Sequence, residues 1–131
     1  MVEVTEFFVE LFVADCAPYI ELFEQALGAR LTRREGTFVS LESPGLRVLL
    51  HQGHDDLPPQ HFFHEPLANK LRRGVGIEIG LAVDDLPSAH RIASGLAAFS
   101  VSKIVRMPWG LRDFRLSTPD GYYFRITEPR S

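Results

Sequence analysis

His61-Phe-Phe-His64 spaces two imidazoles three residues apart, which on a helix turns both to one side. With His51, His54, Asp55 and Asp56 nearby, the stretch has the donor types of a metal cluster. It is also rich in Pro, however, and nothing in it fixes the geometry that a metal site needs. The preferred reading is a polar flap that tucks Phe62 and Phe63 away. Cys16 stands close to a helix start, where a thiolate is favoured, but no His adjoins it, so a structural thiol is the plainer expectation. No Gly-rich phosphate loop, Ser elbow or paired-Cys motif is present. Carboxylates and cations also stand on the expected strands, among them Glu10, Glu78 and Arg125. A carboxylate can accept a proton, and a carboxylate facing a guanidinium can pair with it in bidentate fashion. Trp109 adds a flat amphipathic surface beside a Gly in a Pro-containing loop.

These residues must be positioned by elements that the apolar pattern makes legible. Phe7–Val13 is aromatic and β-branched, as strands are. Asp15 follows as a helix N-cap, with Pro18 in the first turn. Tyr19, Leu22, Phe23, Ala26 and Leu27 have helical spacing up to Gly28, which suits a helix end. Strands are expected at Arg30–Arg34, Phe38–Glu42 and Leu46–Gln52, separated by Glu35-Gly36 and Ser43-Pro44-Gly45. Residues 53–74 break the pattern and read as a linker or flap, with a short helix around Leu67–Arg72. The order then recurs: a strand Ile77–Val83, a helix Leu86–Leu96, and strands Ser100–Arg106, Asp113–Ser117 and Tyr122–Glu128. Leu11–Asp15 (LFVAD) matches Leu81–Asp85 (LAVDD) 70 residues later, and Ser43–Gln52 matches Thr118–Glu128 with one gap. Two βαβββ modules, about 5–52 and 75–129, are therefore expected to share one domain.

Alternation divides each strand into faces. Phe7, Val9, Leu11 and Val13 should meet the helix, leaving Phe8, Glu10 and Phe12 on the other side. In the matching strand Ile77, Ile79, Leu81 and Val83 should meet the helix, opposite Glu78, Gly80 and Ala82. Phe124 and Ile126 read as core, against Tyr123, Arg125 and Thr127. Val48 and Leu50 do likewise, against Arg47, Leu49 and His51.

The 131 residues carry 14 Lys+Arg against 17 Asp+Glu, a net charge of −3, with 45% hydrophobic residues. That excludes a disordered chain. It also argues against a general nucleic-acid binder, for which no basic surplus exists. One Cys cannot form an internal disulfide, so a reducing cytoplasm is the expected compartment. The acidic opening MVEVTE lacks a signal peptide's basic region, and Phe7–Ala17, broken by Glu10 and Asp15, falls short of a membrane span.

The opening FVADCAPYIELFEQALGARL and the closing PWGLRDFRLSTPDGYYFRITEP resemble the glyoxalase/bleomycin-resistance/extradiol-dioxygenase (vicinal oxygen chelate) superfamily. Thr118 stands where the first Asp of that family's Asp-Pro-Asp-Gly-Tyr turn is usual. The resemblance implies an α+β fold whose tandem βαβββ modules curve a mixed sheet around a cup-shaped cavity, completed in a homodimer. It also implies metal-ligand positions, which fall on Phe8, Leu49, Glu78 and Arg125. A two-residue slip of the Leu46–Gln52 strand would put His51 in place of Leu49. Phe and Leu have no donor and guanidinium is a fixed cation, so no cofactor is expected and a divalent metal is disfavoured. A Glu78–Arg125 pair is expected to replace the metal. Phe8, Phe12, Tyr123 and Trp109 would form an aromatic pocket beside Leu49 and His51, with Glu10, Glu78 and Arg125 as its polar minority. The expected function is metal-independent binding of an aromatic or amphipathic small molecule, with no nucleic-acid or membrane partner. The alternative is a glyoxalase-like lyase, isomerase or dioxygenase with a rearranged site, using Glu78 or Glu10 as base and Arg125 to stabilise an enolate or carboxylate.

Overall fold

The computed structural model describes residues 2–53 and 74–130. They fall into two compact units. In the first, β1 (Val9–Val13) leads to α1 (Cys16–Glu21), a π-helical turn (Leu22–Ala26), β2 (Arg30–Glu35), β3 (Phe38–Ser43) and β4 (Leu46–Gln52). The sheet order is β1-β4-β3-β2. β1 runs parallel to β4, and the other neighbours are antiparallel. Asp15 caps α1, accepting the Ala17 N–H at 3.0 Å. Val13, Leu22, Leu41 and Leu50 are fully buried, and Tyr19 and Phe23 nearly so.

The second unit repeats this plan with β5 (Ile79–Ala82), α2 (Leu86–Ser94), β6 (Ser100–Val101), β7 (Val105–Arg106), β8 (Arg112–Ser117) and β9 (Tyr123–Thr127). β5 is parallel to β9, β9 is antiparallel to β8, and β6 and β7 both pair with β8. Asp85 caps α2, accepting the Ser88 N–H at 3.1 Å and the Ser88 hydroxyl at 2.9 Å. The two caps are the matched aspartates of the sequence repeat. Leu86, Ala89, Ala93, Phe99, Phe114, Leu116, Phe124 and Ile126 are this unit's buried apolar residues among those described.

Four expectations need correction. Phe7 and Ile77 were assigned to helix-facing core but are 80% and 62% exposed. Both precede the first ladder pair of their strand, Val9↔Val48 and Ile79↔Phe124, so nothing holds them against a helix. The helical stretch expected as far as Leu27 leaves the α form after Glu21 and winds as a π turn, while α2 ends at Ser94 rather than Leu96. Ser100–Arg106 is two short strands rather than one. The Ser102 hydroxyl accepts the Arg115 N–H at 2.7 Å while the Ser102 N–H donates to the Arg115 carbonyl at 2.8 Å. A side chain thus takes over a rung of the ladder and the strand is interrupted. The expected flap's metal cluster and short helix lie outside the described residues.

Candidate functional site

The β8–β9 register places two cations side by side. Arg115 lies directly opposite Arg125, flanked by the pairs Asp113↔Thr127 and Ser117↔Tyr123. Alternation turns Phe114, Leu116, Phe124 and Ile126 into the core, so the polar partners share the other face. Like charges at directly opposite positions oppose pairing; here acidic neighbours compensate. Arg115 Nε lies 3.2 Å from Asp113 Oδ1, and its Nη2 lies 3.4 Å from Oδ2. Its Nη1 donates to Glu78 Oε1 at 2.8 Å and to the Tyr123 hydroxyl at 3.0 Å. The Asp113 hydrogen bond leads in holding the Arg115 guanidinium's pKa well above its ordinary value. Asp113 itself is only 2% exposed.

Arg125 is held more loosely. Its Nε is 3.5 Å from Glu78 Oε2 and, though buried, makes no hydrogen bond. Its guanidinium carbon lies 5.6 Å from the centre of the Trp109 ring, a cation–π distance. Trp109 is 54% exposed and sits at the tip of the β7–β8 hairpin. There the Met107 N–H donates to Leu111 O and the Gly110 N–H to Met107 O, each at 2.9 Å. Gly110 has φ +96°, a left-handed conformation that a residue with a side chain rarely adopts. Arg106 Nη1 ties the same turn by donating to Gly110 O at 2.7 Å.

A hollow of about 430 Å³ opens here, lined by Gly80, Ala82, Trp109, Leu111, Arg125 and Thr127 and by the charged Glu128 and Arg130. Glu128 is occupied: it accepts the Arg112 N–H at 2.6 Å and the Arg112 side chain at 3.0 and 3.1 Å. These bonds hold its carboxyl below the usual carboxylate range. A second hollow, of about 480 Å³, lies against Glu78 and Tyr123 and is otherwise bounded by the 74–77 stretch and Gly121.

Of the sequence-predicted residues, Glu78, Trp109, Tyr123 and Arg125 thus come together in the second unit. The expected bidentate Glu78–Arg125 pair is corrected. One long contact joins them, and Arg115, which the sequence reading missed, holds the near oxygen of Glu78. Alternation along Asp113–Ser117, with Phe114 and Leu116 as core, carried the signal that could have found Arg115. In the first unit Glu10 is opposite Leu49 and Phe12 opposite His51, with the Phe12 and His51 rings 5.3 Å apart. Phe12 and Leu49 are buried, and Phe8 and Glu10 are exposed. Arg47 lies 5.1 Å over the Phe8 ring and donates to Glu6 at 2.6 Å.

The registers also settle the alignment of the Leu46–Gln52 strand. Glu10↔Leu49 and Gly80↔Arg125 are equivalent pairs, so Leu49 corresponds to Arg125 and His51 to Thr127. On that alignment the positions at which the resemblance implies metal ligands are Phe8, Leu49, Glu78 and Arg125. This set does not fit a divalent ion, because its single carboxylate already faces two guanidinium groups. No group of three or more potential His, Cys, Asp or Glu ligands occurs among the described residues.

The Glyoxalase/Bleomycin resistance protein/Dioxygenase superfamily model matches residues 7–126. The chain belongs to this superfamily. No curated protein matches it. Solved structures of the same fold include the fosfomycin resistance protein FosX from Mesorhizobium loti, at 14% identity and TM-score 0.70, with 99% of this chain and 95% of that one covered. A glyoxalase/bleomycin resistance protein/dioxygenase family enzyme from Burkholderia phytofirmans PsJN is 17% identical with TM-score 0.70, covering 92% and 95%. A protein of unknown function from Agrobacterium tumefaciens is 19% identical with TM-score 0.67, covering 98% of each chain. At these identities the likeness concerns the fold, which hosts many functions. Among the described residues no helix is long and apolar enough to cross a membrane.

Proposed function

We propose that this superfamily member binds a small aromatic or amphipathic molecule without a metal, in the hollow between Trp109 and the β5–β9 strands. The observation that carries this reading is Arg125. It is a guanidinium at the wall of an open hollow, set against an exposed indole, and its Nε makes no hydrogen bond. Apolar walls with a few polar groups are the usual make-up of a small-molecule site. Gly80 and Ala82 line the floor with little side-chain bulk; a Cβ built on Gly80 would meet Arg125 Nη2 at an ordinary contact distance of 3.9 Å. Glu78 has one oxygen committed to Arg115 and the other facing Arg125. That arrangement favours holding a ligand over drawing a proton from one.

Trp109 is the chain's single tryptophan, so its emission reports on this hollow directly. Titration with a panel of neutral and charged aromatic compounds should give saturable quenching and a rise in melting temperature for some of them. Arg125→Ala should weaken every responding compound. A panel that neither quenches Trp109 nor shifts the melting temperature would overturn the proposal.

A further inference from the structure

We infer that the group recognised in this hollow is a carboxylate carried on an aromatic ring, and that Glu78 is its place-holder on Arg125. This rests on the small-molecule reading above and adds the ligand's chemical class. The two cross-strand guanidinium groups are unequally satisfied. Arg115 has Asp113 on its Nε and Nη2, Glu78 at 2.8 Å and the Tyr123 hydroxyl at 3.0 Å. Arg125 has one long contact to the far oxygen of Glu78, with no hydrogen bond at the nitrogen that makes it. Glu78 therefore belongs to Arg115 and only offsets the charge of Arg125. An incoming anion can take the Arg125 guanidinium while Glu78 stays where its stronger partner holds it. Binding makes and breaks no covalent bond.

Local charge points the same way. The hollow's charged lining residues are Arg125, Arg130 and Glu128, and Glu128 is taken up by Arg112. Among the described residues, two cations thus line a space whose one lining carboxylate is already engaged, in a chain whose net charge is −3. Guanidinium presents a planar fork that matches a carboxylate in two parallel hydrogen bonds. The exposed indole 5.6 Å from the Arg125 guanidinium supplies a plate for the ring bearing that carboxylate.

Benzoate and benzamide are planar probes that differ in charge. The expected result is Trp109 quenching with a dissociation constant at least tenfold lower for benzoate, accompanied by a shift of the Arg125 Nε–H resonance in a proton–nitrogen NMR spectrum. Arg125→Lys should reduce the preference, because an ammonium keeps the charge but cannot fork, and Arg125→Met, which removes the charge, should collapse it. Glu78→Gln, which can still bond to Arg115 but lacks the competing charge, should increase the benzoate-over-benzamide preference about threefold or more. Equal affinity for the two probes in the native protein would overturn the carboxylate assignment, as would a smaller preference in folded Glu78→Gln. The small-molecule reading survives that outcome if the wider panel still quenches Trp109, and falls with it if nothing does. Should Glu78→Gln fail to fold, the native preference and its loss in Arg125→Met decide the matter.

Discussion

Removing the Arg115 guanidinium would leave Asp113, 2% exposed, without its counter-ion. Arg115→Ala should therefore cost about 2 kcal/mol. A hydrogen bond to a charged group contributes about 1.5–3 kcal/mol, and the lower part of that range suits a side chain still 26% exposed. The double variant Arg115→Ala/Asp113→Ala should recover part of the loss, because the stranded buried charge disappears with its partner. Urea unfolding of the three variants checks this. A cost below about 0.5 kcal/mol would reduce Arg115 to an ordinary surface ion pair. The same residue marks where the sequence stops being informative. Alternation reveals which face Arg115 occupies, as it does for Glu78, Tyr123 and Arg125. It does not reveal which guanidinium Glu78 prefers, because that depends on cross-strand register and on side-chain reach. Both are set by residues up to 37 positions apart.

At the scale of elements, local chemistry was the most legible. Asp15 and Asp85 cap their helices where the N-cap pattern placed them, and β4 spans Leu46–Gln52 as its alternation implied. The strand starts were not legible, since period-two patterning specifies a face without specifying where a partner strand begins; Phe7 and Ile77 lie beyond that point. The split of β6 from β7 was hidden too, because it depends on a bond from Ser102 to Arg115, 13 residues away. The Asp85 cap yields a pH prediction. Its bonds to the Ser88 N–H and hydroxyl hold its pKa below the ordinary 3.8. A depressed folded pKa contributes stability that is present above the unfolded value and is lost as pH falls through the folded one. Asp85→Asn keeps an acceptor at the cap but does not titrate. The native protein should thus lose melting temperature relative to Asp85→Asn as the pH drops from about 5 to 3, with no relative change between pH 6 and 8. Asp85→Ala should melt a few degrees lower at pH 7. Parallel slopes for native and Asn proteins below pH 5 would show that Asp85 does not contribute through its charge.

At the scale of the whole molecule, two sheets of one topology carry different chemistry on equivalent positions. Where the first unit has Phe8 and Leu49, the second has Glu78 and Arg125, and the ladders Glu10↔Leu49 and Gly80↔Arg125 make the equivalence strict. Family membership, visible in the opening and closing motifs, therefore carries the fold to this chain without the donor set of a metal centre at these four positions. A site of the inherited kind would need neutral or anionic donors at most of these four positions, and Glu78 is the only one. The consequence is measurable in the intact protein. A metal held at a hundredfold excess over its dissociation constant adds about 2.7 kcal/mol to folding stability, which for a chain of this length raises the melting temperature by several degrees. Zinc, nickel, manganese and iron(II), the last under anaerobic conditions, are each expected to leave the melting temperature within about one degree of the chelator-treated protein. A larger rise that Glu78→Gln abolishes would place a metal on Glu78, displace Arg125 as the polar centre of the hollow, and replace the binding mode proposed here with a metal-centred one. A rise that Glu78→Gln leaves intact would locate the metal elsewhere in the chain and leave the Glu78–Arg115–Arg125 arrangement as described.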